Sequence, residues 1–114
     1  MYVLTDKSAN TIGYLFNNVL LLPGFEVSGV LLGHCVFTKN GVVKGKFFAG
    51  CLYDQAGKLI AKQSDLTVDD ISEAEANRIM NEAWNILART KDHTCAWITA
   101  TEQWEAVSLQ EFLG

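Results

Sequence analysis

At 114 residues the chain fits one domain, residues 1–114, large enough to bury about two-thirds of its unfolded surface without disulfides. Charged residues are 19% and apolar residues 49%, so some apolar surface is left over for a partner or a second copy. A net charge of −4 runs against nucleic acid and anionic membrane as main partners, and the early apolar run Val19 to Leu22 is far too short to span a bilayer.

Tyr2 to Thr5 predicts a short first strand, and Thr11 to Leu22 a strand, an Asn17-Asn18 turn and a second strand. Pro23-Gly24 marks a turn, with Pro presetting φ at its second position and Gly taking the third. Asn40-Gly41 stands between two β-rich runs and suits a two-residue type I′ turn closed by Lys39 and Val42. Counting outward, Phe37 faces Lys44, Val36 faces Gly45 and Cys35 faces Lys46. Further out, Leu31 faces Gly50, Val30 faces Cys51 and Gly29 faces Leu52, which makes one long hairpin. Asp54-Gln55-Ala56-Gly57 fits a type I turn followed by a left-handed glycine, with Tyr53 opposite Leu59, Leu52 opposite Ile60 and Cys51 opposite Ala61. Apolar-aromatic pairs recur before polar turns at Leu15-Phe16, Val36-Phe37 and Leu52-Tyr53. Their spacing is uneven, which predicts a meander and no repeat architecture.

Asp69 to Arg89 reads as the long helix. Ala76, Ile79, Met80, Ala83, Ile86 and Leu87 form its apolar stripe, and Ser72 with Glu75 fits a capping box. Thr94 to Thr101 and Trp104 to Val107 read as further strands. A short helix over Leu109 to Leu113, capped by Ser108, closes the series. The fold class is therefore α+β: a mainly antiparallel β-meander sheet with one long amphipathic helix packed on one face, in two layers. Gly29, Gly33, Gly45 and Gly50 leave open whether the sheet is flat or curls toward a barrel.

Alternation along the strands sorts side chains into two faces. His34, Phe47, Cys51 and Tyr53 fall on the helix-facing side and define a candidate ligand pocket of a few polar groups in an apolar wall. Leu31, Phe37, Phe48, Leu52 and Ile60 fall on the other, with lysines toward its margins, and define a candidate homodimer interface. Phe37 and Phe48 near Lys44, Lys46 and Lys62 have the chemistry of a base-stacking platform, but no RNP motif accompanies them.

His34, Cys35, Cys51, His93 and Cys95 lack the closely paired spacing of a structural metal site, and adjacent His34 and Cys35 diverge, so neither metal nor cofactor is expected. No phosphate loop, catalytic triad or paired-carboxylate motif appears, so no catalytic residue is assigned. Three cysteines, an odd number, with no leader-like segment ahead of the first strand, suggest a reduced, cytoplasmic setting. These features predict a non-enzymatic module that self-associates as a dimer and binds a protein or small ligand. The alternative is a small enzyme or ligand-binding protein with a pocket around His34 and Tyr53.

Overall fold

A computed structural model describes residues 1–68, 71–90 and 98–114. Eight strands follow in order: β1 (Tyr2–Thr5), β2 (Thr11–Phe16), β3 (Val19–Leu22), β4 (Glu26–Leu32), β5 (Cys35–Thr38), β6 (Val43–Phe48), β7 (Cys51–Asp54) and β8 (Leu59–Thr67). Each pairs antiparallel with the next, and β8 returns to pair with β1 (Leu4 opposite Gln63), so the sheet is a closed barrel. Helix α1 (Glu73–Arg89) lies outside it and α2 (Leu109–Leu113) is a single short turn. This corrects the expected open, two-layer sheet with a helix on one face.

The correction begins at two turns. Gly33-His34 separates β4 from β5, and Ala49-Gly50 separates β6 from β7, so the single long hairpin is three connected ones. Leu31 therefore pairs with Val36 and not Gly50, and Val30 with Phe37 and not Cys51. Positive φ at Gly33 (61°), Ala49 (51°) and Gly50 (75°) makes these tight turns possible. The inner pairs Val36–Gly45, Cys35–Lys46 and Tyr53–Leu59 stand as counted. Phe37, however, faces Val43, Leu52 faces Ala61 and Cys51 faces Lys62, because each hairpin carries a bulge.

Those bulges reveal a repeat that the apolar-aromatic pairs concealed. The unpaired extra residues are Ile12, Ser28, Lys44 and Ile60, each sixteen positions after the last. Left-handed residues close the turns at Ala9, Phe25, Gly41 and Gly57, with the same interval (φ 64°, 61°, 76° and 83°). At the Asp6, Thr38 and Asp54 turns, one pattern of two hydrogen bonds recurs: Ala9 N to Asp6 O, Gly41 N to Thr38 O, and Gly57 N to Asp54 O, each with a pair across the base. The barrel is thus built from a sixteen-residue unit, and the uneven spacing came from matching pairs on opposite sides of a bulge. The expected two-residue turn at Asn40-Gly41 is accordingly a three-residue loop ending in a left-handed Gly41.

Two of the four left-handed positions are not glycine. At Phe25 the neighbours hold the backbone: its carbonyl accepts from Arg78 Nη2 at 2.9 Å, and its ring meets Tyr14 at 5.3 Å. Ala9 has only its local turn bond. Ala9→Gly should therefore stabilise the fold by about 1 kcal/mol, read as a raised urea midpoint at unchanged slope.

The inner core holds Leu4, Leu15, Leu20, Leu31, Val36 and Leu52, and an eight-stranded barrel has room for little more. What space remains is filled by α2. Leu109, Phe112 and Leu113 enter between the strands, each beside one glycine of the repeat: Leu109 by Gly13, Leu113 by Gly29, Phe112 by Gly45. Gly13 and Gly29 sit where an added Cβ would lie 2.6 and 2.7 Å from a neighbouring strand's carbonyl oxygen. The fourth equivalent position is Ala61, fully buried. Ser108 caps α2 by accepting from Glu111 N at 3.1 Å, as the capping box predicts.

Outside, α1 covers β3, β4 and β5. Ile79, Ala83 and Ile86 pack on Val19, Leu21, Val27, Val30 and Phe37. Ser72, not Asp69, is its cap, accepting from Glu75 N at 3.2 Å. Trp104 to Val107 forms no strand. Trp104 makes an isolated bridge to Leu59, and Ile98 covers Tyr53 and Leu59. Of the expected strand Thr94 to Thr101, positions 94 to 97 lie outside the described residues and the rest is irregular.

Candidate ligand site at the barrel mouth

The antiparallel order puts four turns at one end of the barrel, and α2 enters there, beside the glycines near the starts of β2, β4 and β6. The repeat presents its bulged residue at that end four times. Two of the four are polar, Ser28 and Lys44, and two are apolar, Ile12 and Ile60. The structure uses them on different sides. Ile12 and Ile60 line a shallow hollow under Trp104 and Ala106, whereas Ser28 and Lys44 share a cavity of about 410 Å³ with Thr38, Lys39, Gln110 and Leu113.

Each wall residue has a structural reason to be there. A bulge turns two consecutive side chains toward one region, so Ser28 stands next to the inward Gly29 instead of alternating away from it. Thr38 is the cross-strand partner of Gly29. Leu113 packs over Gly29 from α2, and Gln110 projects from the preceding turn of the same helix. Ser28 and Thr38 are the two buried polar residues of the described chain, 4% and 6% exposed. Thr38 Oγ1 accepts from Val42 N at 3.4 Å, while Ser28 Oγ has no hydrogen-bond partner among the described residues. Leaving a buried hydroxyl unpaired costs about 1–3 kcal/mol, so a group that reaches it gains that bond. At the rim, Lys39 Nζ pairs with Glu26 Oε1 at 3.1 Å, and Lys44 is exposed with no ion pair among the described residues.

The residues expected to form a pocket divide into two pairs. His34 lies in the exposed β4–β5 turn, its Nδ1 3.3 Å from the carbonyl of Phe47. Cys51 and Tyr53 lie together on the outer face of β7, where burial, then the Cys51 thiol, pushes the Tyr53 hydroxyl pKa upward. Phe48 stands between the pairs. Its ring is 4.9 Å from that of Tyr53, and with His34, Lys46 and Ile98 it lines an outer hollow of about 420 Å³ that is mostly apolar.

Of the five residues expected at a dimer interface, Leu31, Leu52 and Ile60 belong to the inner core and Phe37 is covered by α1. Phe48 alone remains partly open. Cys35 is buried and disulfide-bonded, which corrects the reading of the cysteines as uniformly reduced, and Cys51 is a free thiol. Among the described residues no three of His, Cys, Asp and Glu are placed to hold a metal ion. None of their helices is long and apolar enough to cross a membrane.

The mouth residues escaped the sequence reading, although the signal was present. Ser28 and Lys44 are one repeat apart, but only the bulge register shows that they are equivalent. No protein-family model, curated protein or solved structure matches the chain.

Proposed function

We propose that this protein is a non-enzymatic small-molecule-binding module whose site is the α2 end of the barrel. The observation that carries this reading is the buried, unpartnered Ser28 hydroxyl in the wall of a cavity of about 410 Å³. That volume suits a small ligand, and a concave site with a few polar groups over an apolar floor is the usual form of one. The barrel interior itself is packed by Leu109, Phe112 and Leu113, so the reading places the ligand at the mouth and not in the lumen. Glu26, the one carboxylate side chain in the wall, is held by Lys39, which supports binding over acid–base chemistry.

Self-association through the expected face finds little support, since four of its five residues are buried. A cytoplasmic setting forms no part of the proposal, because reducing pools oppose a disulfide such as that of Cys35.

The test is a mixed library of anionic, cationic and neutral small molecules, screened by ligand-observed NMR against the wild type and Val42→Trp. Val42 lines the mouth and is 52% exposed, so a larger ring there obstructs the site without entering the core. Compounds that bind the wild type and lose at least about tenfold in affinity to the variant are expected. A library with no binder, or with binders indifferent to Val42→Trp, overturns the proposal.

A further inference from the structure

We infer that the mouth site selects a compact oxyanion, a carboxylate or phosphate group; this deepens the small-molecule reading and rests on it. The inference comes from the hydrogen-bonding inventory of the wall. The Ser28 hydroxyl has neither donated nor accepted a bond. The Thr38 hydroxyl accepts from Val42 N, and no acceptor for its own proton is found among the described residues. A hydroxyl supplies one proton and two acceptor positions, so both residues have a proton to offer. Ser28 adjoins the cross-strand partner of Thr38, so the two hydroxyls come from neighbouring strands at the base of one cavity.

Above them, the charge is positive. Lys39 and Lys44 stand against Glu26 in the cavity wall, a local excess of one cation on a chain whose net charge is −4. Glu26 neutralises Lys39, which leaves the Lys44 ammonium to be matched by a ligand. A cationic ligand finds one carboxylate there, already paired. A neutral polyol satisfies the hydroxyls but leaves Lys44 as it was. An oxyanion satisfies all three groups, and charge-assisted bonds of this kind are roughly twice as strong as neutral ones.

The pseudo-symmetry supports the same assignment. The bulge positions on the far side are Ile12 and Ile60, so this unit tolerates apolar residues there. A serine and a lysine at the other two positions are not demanded by the fold. Their coincidence in one cavity is what ligand recognition requires.

The test is a ¹H–¹⁵N titration of the folded protein with sodium phosphate and, separately, sodium acetate, with sodium chloride at matched ionic strength and glycerol as the neutral probe. Saturable shifts at the amides of Ser28, Gly29 and Thr38 are expected with an oxyanion and not with chloride. Lys44→Gln, at an exposed position, should weaken binding about tenfold, and Ser28→Ala about fivefold, with spectra otherwise unchanged. Response to phosphate alone assigns a phosphoryl group, and response to acetate alone a carboxylate.

Shifts that match chloride overturn the inference, as do saturable shifts that neither variant alters. If glycerol or a cationic library compound binds and is blocked by Val42→Trp while neither oxyanion binds, the oxyanion assignment fails and the binding module stands. If no probe and no library compound binds, both fail.

Discussion

Gly45→Ala is expected to cost about 3 kcal/mol or more, a large effect for one added methyl group. The new Cβ would be driven into the backbone carbonyl of Tyr53 on the neighbouring strand and would lie 3.2 Å from Cζ of Phe112. A side chain can turn away from such a clash, whereas a carbonyl held in a closed ladder cannot. The expected readout is a large fall in the urea midpoint with the slope preserved. The double variant with Phe112→Ala separates the two contacts. Removing the ring relieves one neighbour and leaves the Tyr53 carbonyl in place, so the two costs should add to within about 0.5 kcal/mol. A double variant restored to wild-type stability would show that the ring, not the strand, excludes the methyl. Gly13 and Gly29 meet carbonyls in the same way, which is why a glycine recurs at this point of the unit.

Phe112→Ala alone should cost about 3–5 kcal/mol, the range for truncating a buried phenylalanine. A helix of five residues has no stability of its own, so α2 is held by what it buries: Leu109, Phe112 and Leu113 inside the barrel. Loss of the ring also leaves a void among Leu52, Ala61 and Gly45, on strands closed into a ring that cannot easily collapse around it. Chemical denaturation gives the cost. The expected companion is faster amide exchange over Leu109 to Leu113 than over β4 or β5, because the plug loses one of its three anchors. An effect below about 1 kcal/mol would mean that the barrel holds itself closed without the plug.

Much of the local structure was legible in the residues. The Asn17-Asn18 and Pro23-Gly24 turns, the left-handed Gly57, both Ser caps and the apolar stripe of α1 all depend on neighbours within four positions. What was not legible depends on the bulges. An extra residue in a strand inverts the alternation beyond it, so Leu31 and Phe37 change faces relative to a straight count. Leu31 becomes interior and Phe37 comes to lie beneath α1, and the expected pocket and interface dissolve with them. Gly33-His34 and Ala49-Gly50 were overlooked for a related reason, since each sits inside an apolar run that reads as one strand. The candidate site was the least legible of all. Lys39 and Lys44 were visible as charges, but Ser28 among Val27, Gly29 and Val30 carries no sign of function until the register shows where its hydroxyl lies.

Closure of the ring has a consequence for how the chain reaches this state. Seven of the eight strand pairings join neighbours in sequence, so each can zip from its own turn at little entropic cost. The eighth is different in kind: Leu4 must find Gln63, and the inner faces of all the strands must already be in place for it to do so. Contacts of that span dominate the search in β-proteins, so seam formation between β1 and β8, with α2 seated behind it, is the step that sets the folding rate. Until it occurs, both terminal strands present unpaired backbone to any other chain. The completed barrel offers none, and its resistance to edge-to-edge aggregation is therefore acquired at the end of folding and all at once.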